Sequence, residues 1–305
     1  MNRMTSKIIG ASVLLLILVA VAYALAKTNS VVTYTSTLPP QKAIVPTPTS
    51  TSTSEAKPKR MFTESFNSAY TVAEAESKTA SKSAAWWVSS GAYLFSKNGV
   101  GSTIMGSLPA DDPWRKTFSI SNPLDTDDGY HPQNIFRLVL KSQWLNLEQE
   151  AYFKVLDYNL SVSPNRNFSN GLLFFNRYQD AFNLYYTGIR VDGYVTIKKK
   201  IGGTYYTLAH KPFVADSVYH RDSNPTLLPQ NTWIGLRSEV TTNADQTVSI
   251  KLYVDNGRTG NWVLAAEAND DGKSYGGAAL LNEGYAGIRT DFMDVEFDDY
   301  KIVAQ

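Results

Sequence analysis

The acidic side chains best spaced for chemistry lie near the C-terminus. Asp294, Glu296 and Asp298 alternate with Val295 and Phe297, so in a strand all three would share one face. Glycoside hydrolysis uses two carboxylates about 5–10 Å apart on either side of the scissile bond. A solvated strand face produces the same spacing, and that is the reading adopted. The three histidines stand apart. His131 precedes a proline, His210 ends an alternating run before Lys211-Pro212, and His220 sits in Tyr219-His220-Arg221-Asp222. No two of them have metal-ligand spacing on one element. There is no G-x-S-x-G elbow and no phosphate-cradling glycine loop. No catalytic residue is therefore assigned, and the chain reads as a binding domain before it reads as an enzyme.

Binding chemistry has better candidates. A pyranose has an apolar face and a rim of hydroxyls, so its sites combine aromatic rings with planar hydrogen-bonding groups. If Phe182, Leu184 and Tyr186 face a core, Asn183 and Tyr185 face outward. If Leu236 faces inward, Arg237 and Glu239 share the outer side, and Arg177 ends the run before them. The expected ligand site is Arg177, Tyr185, Arg237 and Glu239 on a concave sheet face. Trp86 and Trp87 are adjacent, so a strand sends them to opposite sides.

The elements that would position these residues are strands. Gly171-Leu172-Leu173-Phe174-Phe175 is a compact apolar run, and 181–186, 194–200 and 204–209 alternate around Asp192-Gly193 and Gly202-Gly203. Such pairs tolerate positive φ and mark hairpins. Alternation returns at 135–141, 151–158, 233–237 and 248–254, the last ended by Asn256-Gly257, and again at 262–266, 285–289 and 295–302. No helical periodicity is sustained after Met61, and 69–85 reads as a surface loop or short helix. The fold class expected is all-β, a two-sheet antiparallel β-sandwich of jelly-roll type over residues 61–305.

The order of Asn170-Gly-Leu-Leu-Phe-Phe, Gln179-Asp180-Ala-Phe-Asn-Leu-Tyr-Tyr, Ile201-Gly-Gly-Thr-Tyr-Tyr, Trp233-Ile-Gly-Leu-Arg237 and the closing stretch 284–299 resembles the concanavalin A-like lectin/glucanase superfamily. More narrowly it resembles laminin-G-like jelly rolls, over 134–302, with Phe62-to-Phe66 and Trp87-to-Leu94 similar to opening strands. The resemblance implies a carbohydrate-binding or adhesive domain, with a glycoside hydrolase or polysaccharide lyase and a protein-interaction ectodomain as the alternatives. It does not choose among them. The hydrolases it brings to mind carry E-x-D-x-x-E on a central strand, whereas Asp294-Val-Glu296-Phe-Asp298 closes the chain. The lyases carry Gln-x-His, and no histidine here stands in that context. The resemblance also implies a structural calcium ion. First and last strands pair in such jelly rolls, which would bring Glu64 to Asp298 as metal ligands. Calcium takes six to eight oxygen ligands. Asp125-Thr126-Asp127-Asp128-Gly129 looks like the front of a calcium loop, but Phe136 stands where a helix–loop–helix site has Glu. Asn269-Asp270-Asp271-Gly272 is a similar cluster.

Composition and the N-terminus set the location. The chain has a formal charge of +1 with scattered Lys and Arg, so no nucleic-acid partner is expected. The absence of cysteine excludes disulfides and a lipid-modified N-terminal cysteine, though a large β domain can stand without either. Residues 1–27 carry Arg3 and Lys7 and then an apolar run from Ile8 to Ala26. That is a hydrophobic helix, read as a signal peptide or a signal-anchor. Ala24-Leu25-Ala26 fits cleavage and a secreted product; the length of the run favours an uncleaved membrane anchor. Residues 28–60 are dominated by Ser, Thr and Pro, a disordered linker or stalk. The partner expected is an extracellular polysaccharide or glycan, met at the cell surface or in solution. Asn159-Leu-Ser161 and Asn167-Phe-Ser169 fit N-glycosylation triplets.

Overall fold

The computed structural model describes residues 59–214 and 218–305. The hydrophobic segment 1–27, and the linker up to residue 58, lie outside the described residues. Among those described, no helix is long and apolar enough to cross a membrane.

The short strands β1 (Met61–Glu64), β2 (Tyr70–Ala73), β3 (Trp86–Ser90), β4 (Tyr93–Lys97) and β5 (Val100–Ser102) come first. Helix α1 (Pro113–Ser121) and a 3-10 turn (Pro132–Ile135) follow, then β6 (Arg137–Trp144) and β7 (Leu147–Tyr158). The meander comprises β8 (Gly171–Asp180), β9 (Asn183–Arg190), β10 (Tyr194–Ile201) and β11 (Thr204–Pro212). The rest are β12 (Trp233–Thr242), β13 (Val248–Asn256), β14 (Val263–Asp270), β15 (Gly284–Thr290) and β16 (Met293–Ala304).

These strands form two antiparallel sheets. One runs β14-β13-β12-β7-β16-β5-β4-β2 with β1 also on β16; the other runs β11-β10-β9-β8-β15-β6-β3. The turns behave as their residues require. Gly202 and Gly203 sit at φ 55° and 86° between β10 and β11, the left-handed pair that a tight hairpin needs. The first and last strands pair as expected, with Glu64 opposite Tyr300.

The core lies between the sheets and is rich in rings. Trp86 meets Phe62 and Tyr300 edge-on at 5.6 and 5.0 Å between centroids. The adjacent Trp87 points the other way and donates its Nε1–H to Ala75 O. A buried polar chain also crosses the sandwich: Tyr300 OH donates to Gln149 Oε1, and Gln149 Nε2 donates to Asn176 Oδ1. Ser238 donates to the same Asn176 oxygen, and the Asn176 amide donates to Thr187 Oγ1. Every group in it is satisfied, so it ties five strands together without leaving an unpaired dipole.

Two differences from the sequence expectation have clear causes. Helix α1 is real, signalled only by Asp112 capping Trp114 N and by Pro113 at the first position; a nine-residue helix that buries only Phe118 shows no apolar stripe. Residues 70–73, inside the stretch read as loop or helix, form β2 against β4.

Candidate functional site

The two sheets differ on their outer faces. In the nine-stranded sheet β7 and β13 alternate buried and part-exposed residues, as expected where one face is wet. In the seven-stranded sheet β8 and β9 are buried along almost their whole length. Their outer face carries a second apolar cluster of Val139, Leu173, Phe175, Leu184 and Tyr186, with Trp87, Tyr178 and Tyr285 packed on it. Lys78 lies over the Trp87 and Tyr285 rings at 5.0 and 4.3 Å. One end of this face opens as a cleft of about 360 Å³ between the sheet and the segments holding Asp125 and Asn165–Asn170. That volume is in the range of small-molecule sites, roughly 300–1,000 Å³.

Strand register builds the cleft. Arg137 of β6, Arg289 of β15 and Leu173 of β8 stand side by side. Two residues along, Tyr186 of β9 faces Lys198 of β10. Tyr205, on β11, stacks on Tyr186 at 5.9 Å and 29° and is about half exposed. Tyr186 OH accepts from Arg289 Nη1 at 3.2 Å. Arg289 Nε is clamped by both oxygens of Asp291, at 2.8 and 3.1 Å. Asn165, Asn167, Asn170 and Thr196 add amides and a hydroxyl to the lining.

The electrostatics of the cleft favour negative charge. Burial pushes the Tyr186 phenol up to about 12 against the opposing pull of Arg289. Burial also raises Tyr205, but Arg289, a hydrogen bond with Tyr186 and the Lys200 ammonium outweigh it, so this phenol lies below its ordinary value. Burial depresses Lys198, and Arg190 adds to the effect. Burial opposes the charge of Arg289 too, yet Asp291 and the two phenols hold it more firmly protonated than a free guanidinium.

The four residues expected to bind ligand are not brought together. Tyr185 is fully buried between the sheets; its OH donates to Asp270 Oδ2 at 2.7 Å and accepts from Leu280 N. The face assignment of β9 is thus inverted: Leu184 and Tyr186 face the outer cluster, and Phe182 is exposed in the turn. Arg177 is also fully buried. It donates to Leu145 O, Leu280 O, Asn146 Oδ1 and Thr242 Oγ1, and burial pulls it down to about 10. A bulge in β8, with Arg177 at φ 47°, turns its side chain inward. Arg237 and Glu239 do face outward, but on the other sheet. Arg237 pairs with Glu150 and lies 4.3 Å over the Trp262 ring, and Glu239 accepts from Tyr253 OH.

The two residues of the expected metal pair have different partners. Glu64 accepts from Phe66 N and Tyr70 OH, whereas Asp298 is bound to Arg258. The three closing acids have three surroundings: Asp294 accepts from Gln133 and Asn159, Glu296 pairs with Lys154 and Asp298 with Arg258. In the Asp125–Gly129 loop, Asp125 accepts from Asn165 and Ser163, and Asp127 from Asn134 and Ser161. His131 links this loop to Ser107, with Nδ1 2.9 Å from Asp127 Oδ2 and Nε2 2.9 Å from Ser107 Oγ. That is the spacing of a nucleophile, base and acid. Acyl transfer also needs donors aimed at the developing oxyanion, and the neighbouring Gly106 N–H is bound to Asp294. The trio joins the two loops.

No family model matches the chain, and no curated protein matches it. Solved structures of similar shape include a carbohydrate-binding module from Bacillus subtilis, 15% identical over 55% of this chain and 81% of that one, TM-score 0.38. A prokaryotic β-1,3-1,4-glucanase (lichenase) derived from a mouse hindgut metagenome is 10% identical over 80% of this chain and 98% of its own, TM-score 0.43. The Bacillus licheniformis β-glucanase is 11% identical over the same shares, TM-score 0.40.

Proposed function

We propose that this domain binds a glycan at the cell surface or outside the cell, through the cleft on the outer face of the seven-stranded sheet. One observation carries the reading. Tyr205 offers a half-exposed ring, backed by Tyr186, beside a guanidinium and a row of side-chain amides. Ring faces suit the apolar side of a sugar, and amides and Arg suit its hydroxyl rim. The laminin-G-like resemblance of 134–302 belongs to the same proposal. The test is affinity electrophoresis of the full chain against a panel of soluble polysaccharides. Retardation by at least one polymer, lost in Tyr205→Ala, is expected. A retardation that Tyr205→Ala leaves intact would move the site elsewhere.

A second reading, a polysaccharide lyase, is favoured by one feature: the Tyr205 phenol lies in the cleft close to the Arg289 guanidinium, which helps hold it below its ordinary value, and a tyrosine is one of the side chains that can transfer protons. Unsaturated sugar ends appearing in a bound polymer would establish it.

A further inference from the structure

We infer that the glycan taken by this cleft is acidic, carrying carboxylate or sulfate groups. The inference rests on the binding reading above and adds the charge class of the ligand.

Arg137 and Arg289 are directly opposite one another on adjacent strands. Like charges in that relation repel. Asp291 answers Arg289. Among the described residues Arg137 has no ion-pair partner within 4 Å, and neither has Lys198 at the far side of Tyr186. Both line the cleft and neither is fully exposed. Elsewhere on this protein the part-buried cations on strands have partners: Arg237 has Glu150, Lys154 has Glu296, Arg190 has Asp192 and Lys199 has Asp270, while Lys141 and Arg177 donate to backbone carbonyls and Lys200 lies over the Phe182 and Tyr205 rings. The contrast is local to the cleft. Its acids do not supply the missing charge. Asp291 already serves Arg289, and Asp125 is turned to Ser163 and Asn165; Asp192, which acts on Lys198 from a distance, is paired with Arg190, and Glu74, which acts likewise on Arg137, accepts from Ala92 N.

Holding a part-buried cation without a counter-charge costs free energy, and an anion seated between Arg137 and Lys198 would offset it. A guanidinium meets a carboxylate or a sulfate in a planar, two-point fashion, and an ammonium adds a point charge. A neutral sugar would gain from the tyrosines but would leave both cations unanswered. An acidic sugar satisfies both features at once, its ring on Tyr205 and its anionic group toward the cations.

The experiment uses the purified full chain and two matched pairs of probes: polygalacturonate against the same polymer fully methyl-esterified, and dextran sulfate against dextran. Affinities are compared at about 0.15 M salt, where charges further apart than roughly 8 Å are screened. Binding to polygalacturonate or dextran sulfate at least tenfold tighter than to the matched uncharged polymer is expected. The preferred member of the two acidic probes separates a carboxylate site from a sulfate site. Arg137→Ala and Lys198→Ala should each remove most of that preference, while Lys251→Ala, on the outer face of the other sheet, should not. Equal affinity for charged and uncharged forms overturns the inference and leaves the binding reading standing. An equal loss with Lys251→Ala overturns it as well, because the attraction would then be diffuse. Binding only to neutral polymers of the wider panel, abolished by Tyr205→Ala, overturns the acidic class alone. Binding to nothing overturns both.

Discussion

The ammonium of Lys199 lies 3.0 Å from a carboxylate oxygen of Asp270, and neither side chain has exposed surface. The pair joins the seven-stranded sheet, through β10, to β14 at the edge of the nine-stranded one. Lys199 also donates to Gly277 O and Ala278 O, Gly272 N donates to Asp270 Oδ1, and Tyr185 OH completes the set on Oδ2. One buried ion pair therefore anchors the loop that leads from β14 to β15, and β15 carries Arg289 into the cleft.

Removing one partner should be costly. In Lys199→Met the Asp270 carboxylate stays buried without its cation, and a loss of about 3–5 kcal/mol of unfolding free energy is expected. Replacing both, Lys199→Met with Asp270→Leu, should recover a large part of it, because no uncompensated charge remains. Urea denaturation at neutral pH measures both. A single variant as stable as the parent would contradict the role given to the pair.

Tyr205→Ala should act on binding and not on the fold. The ring is half exposed and on the edge strand β11, so its removal should cost little beyond its stack on Tyr186, about 1 kcal/mol of stability. Loss of a stacking contact of about 1–1.5 kcal/mol corresponds to roughly a tenfold weaker affinity. Calorimetry of the variant with whichever polymer retards the parent checks the size. A change of less than twofold would place the sugar elsewhere.

Arg177 and Arg237 should give opposite results to a reading based on alternation alone. Arg177→Ala removes a buried group with four acceptors around it, and should destabilise the domain by several kcal/mol, about 3 or more. Arg237→Ala breaks a part-exposed pair with Glu150, worth about 0–1 kcal/mol. Neither should change affinity at temperatures where the variant is folded. Thermal midpoints beside binding isotherms test this, and a specific loss of affinity in Arg237→Ala would return the site to the nine-stranded sheet.

These contrasts show where the sequence was readable. Strands of the nine-stranded sheet announce themselves because one face is wet: β13 alternates Val248, Ile250, Leu252 and Val254 against polar neighbours. Glycine pairs mark the hairpins for a steric reason that is local. The seven-stranded sheet hides its faces because both are covered. In β9, Leu184, Tyr185 and Tyr186 are all buried, so periodicity has no contrast to report, and Phe182, which set the phase, sits in a turn. The bulge at Arg177 then moves a charged residue inward, which no alternation rule foresees. The cleft residues Arg137, Lys198, Tyr205 and Arg289 lie on four strands and meet only through register. The signal that could have found them was the doubly apolar run Leu172-Leu173-Phe174-Phe175, which implies that something covers the outer face and that a gap in the cover is a site.

The last prediction concerns pH. Burial, assisted by Arg190 and Arg289, depresses Lys198, while Tyr205 and Asp192 act in the other direction. Its proton is therefore lost below the ordinary lysine value of about 10.4. A bound anion favours the charged ammonium, so binding raises this pKa and takes up a proton. By linkage, affinity for an acidic polymer falls as pH rises through the depressed value. Tyr205 works in the same sense, because it ionises below its ordinary value and brings a negative charge to the ligand. Arg289, which Asp291 and the two phenols hold more firmly protonated than a free guanidinium, does not add to the alkaline limb. Lys198→Ala and Tyr205→Phe should each flatten that limb in part, and the double variant should remove it. Isotherms from about pH 7 to 10 on polygalacturonate decide the matter. An affinity that holds constant over that range, or falls equally in the double variant, would falsify the assignment of Lys198 to the ligand.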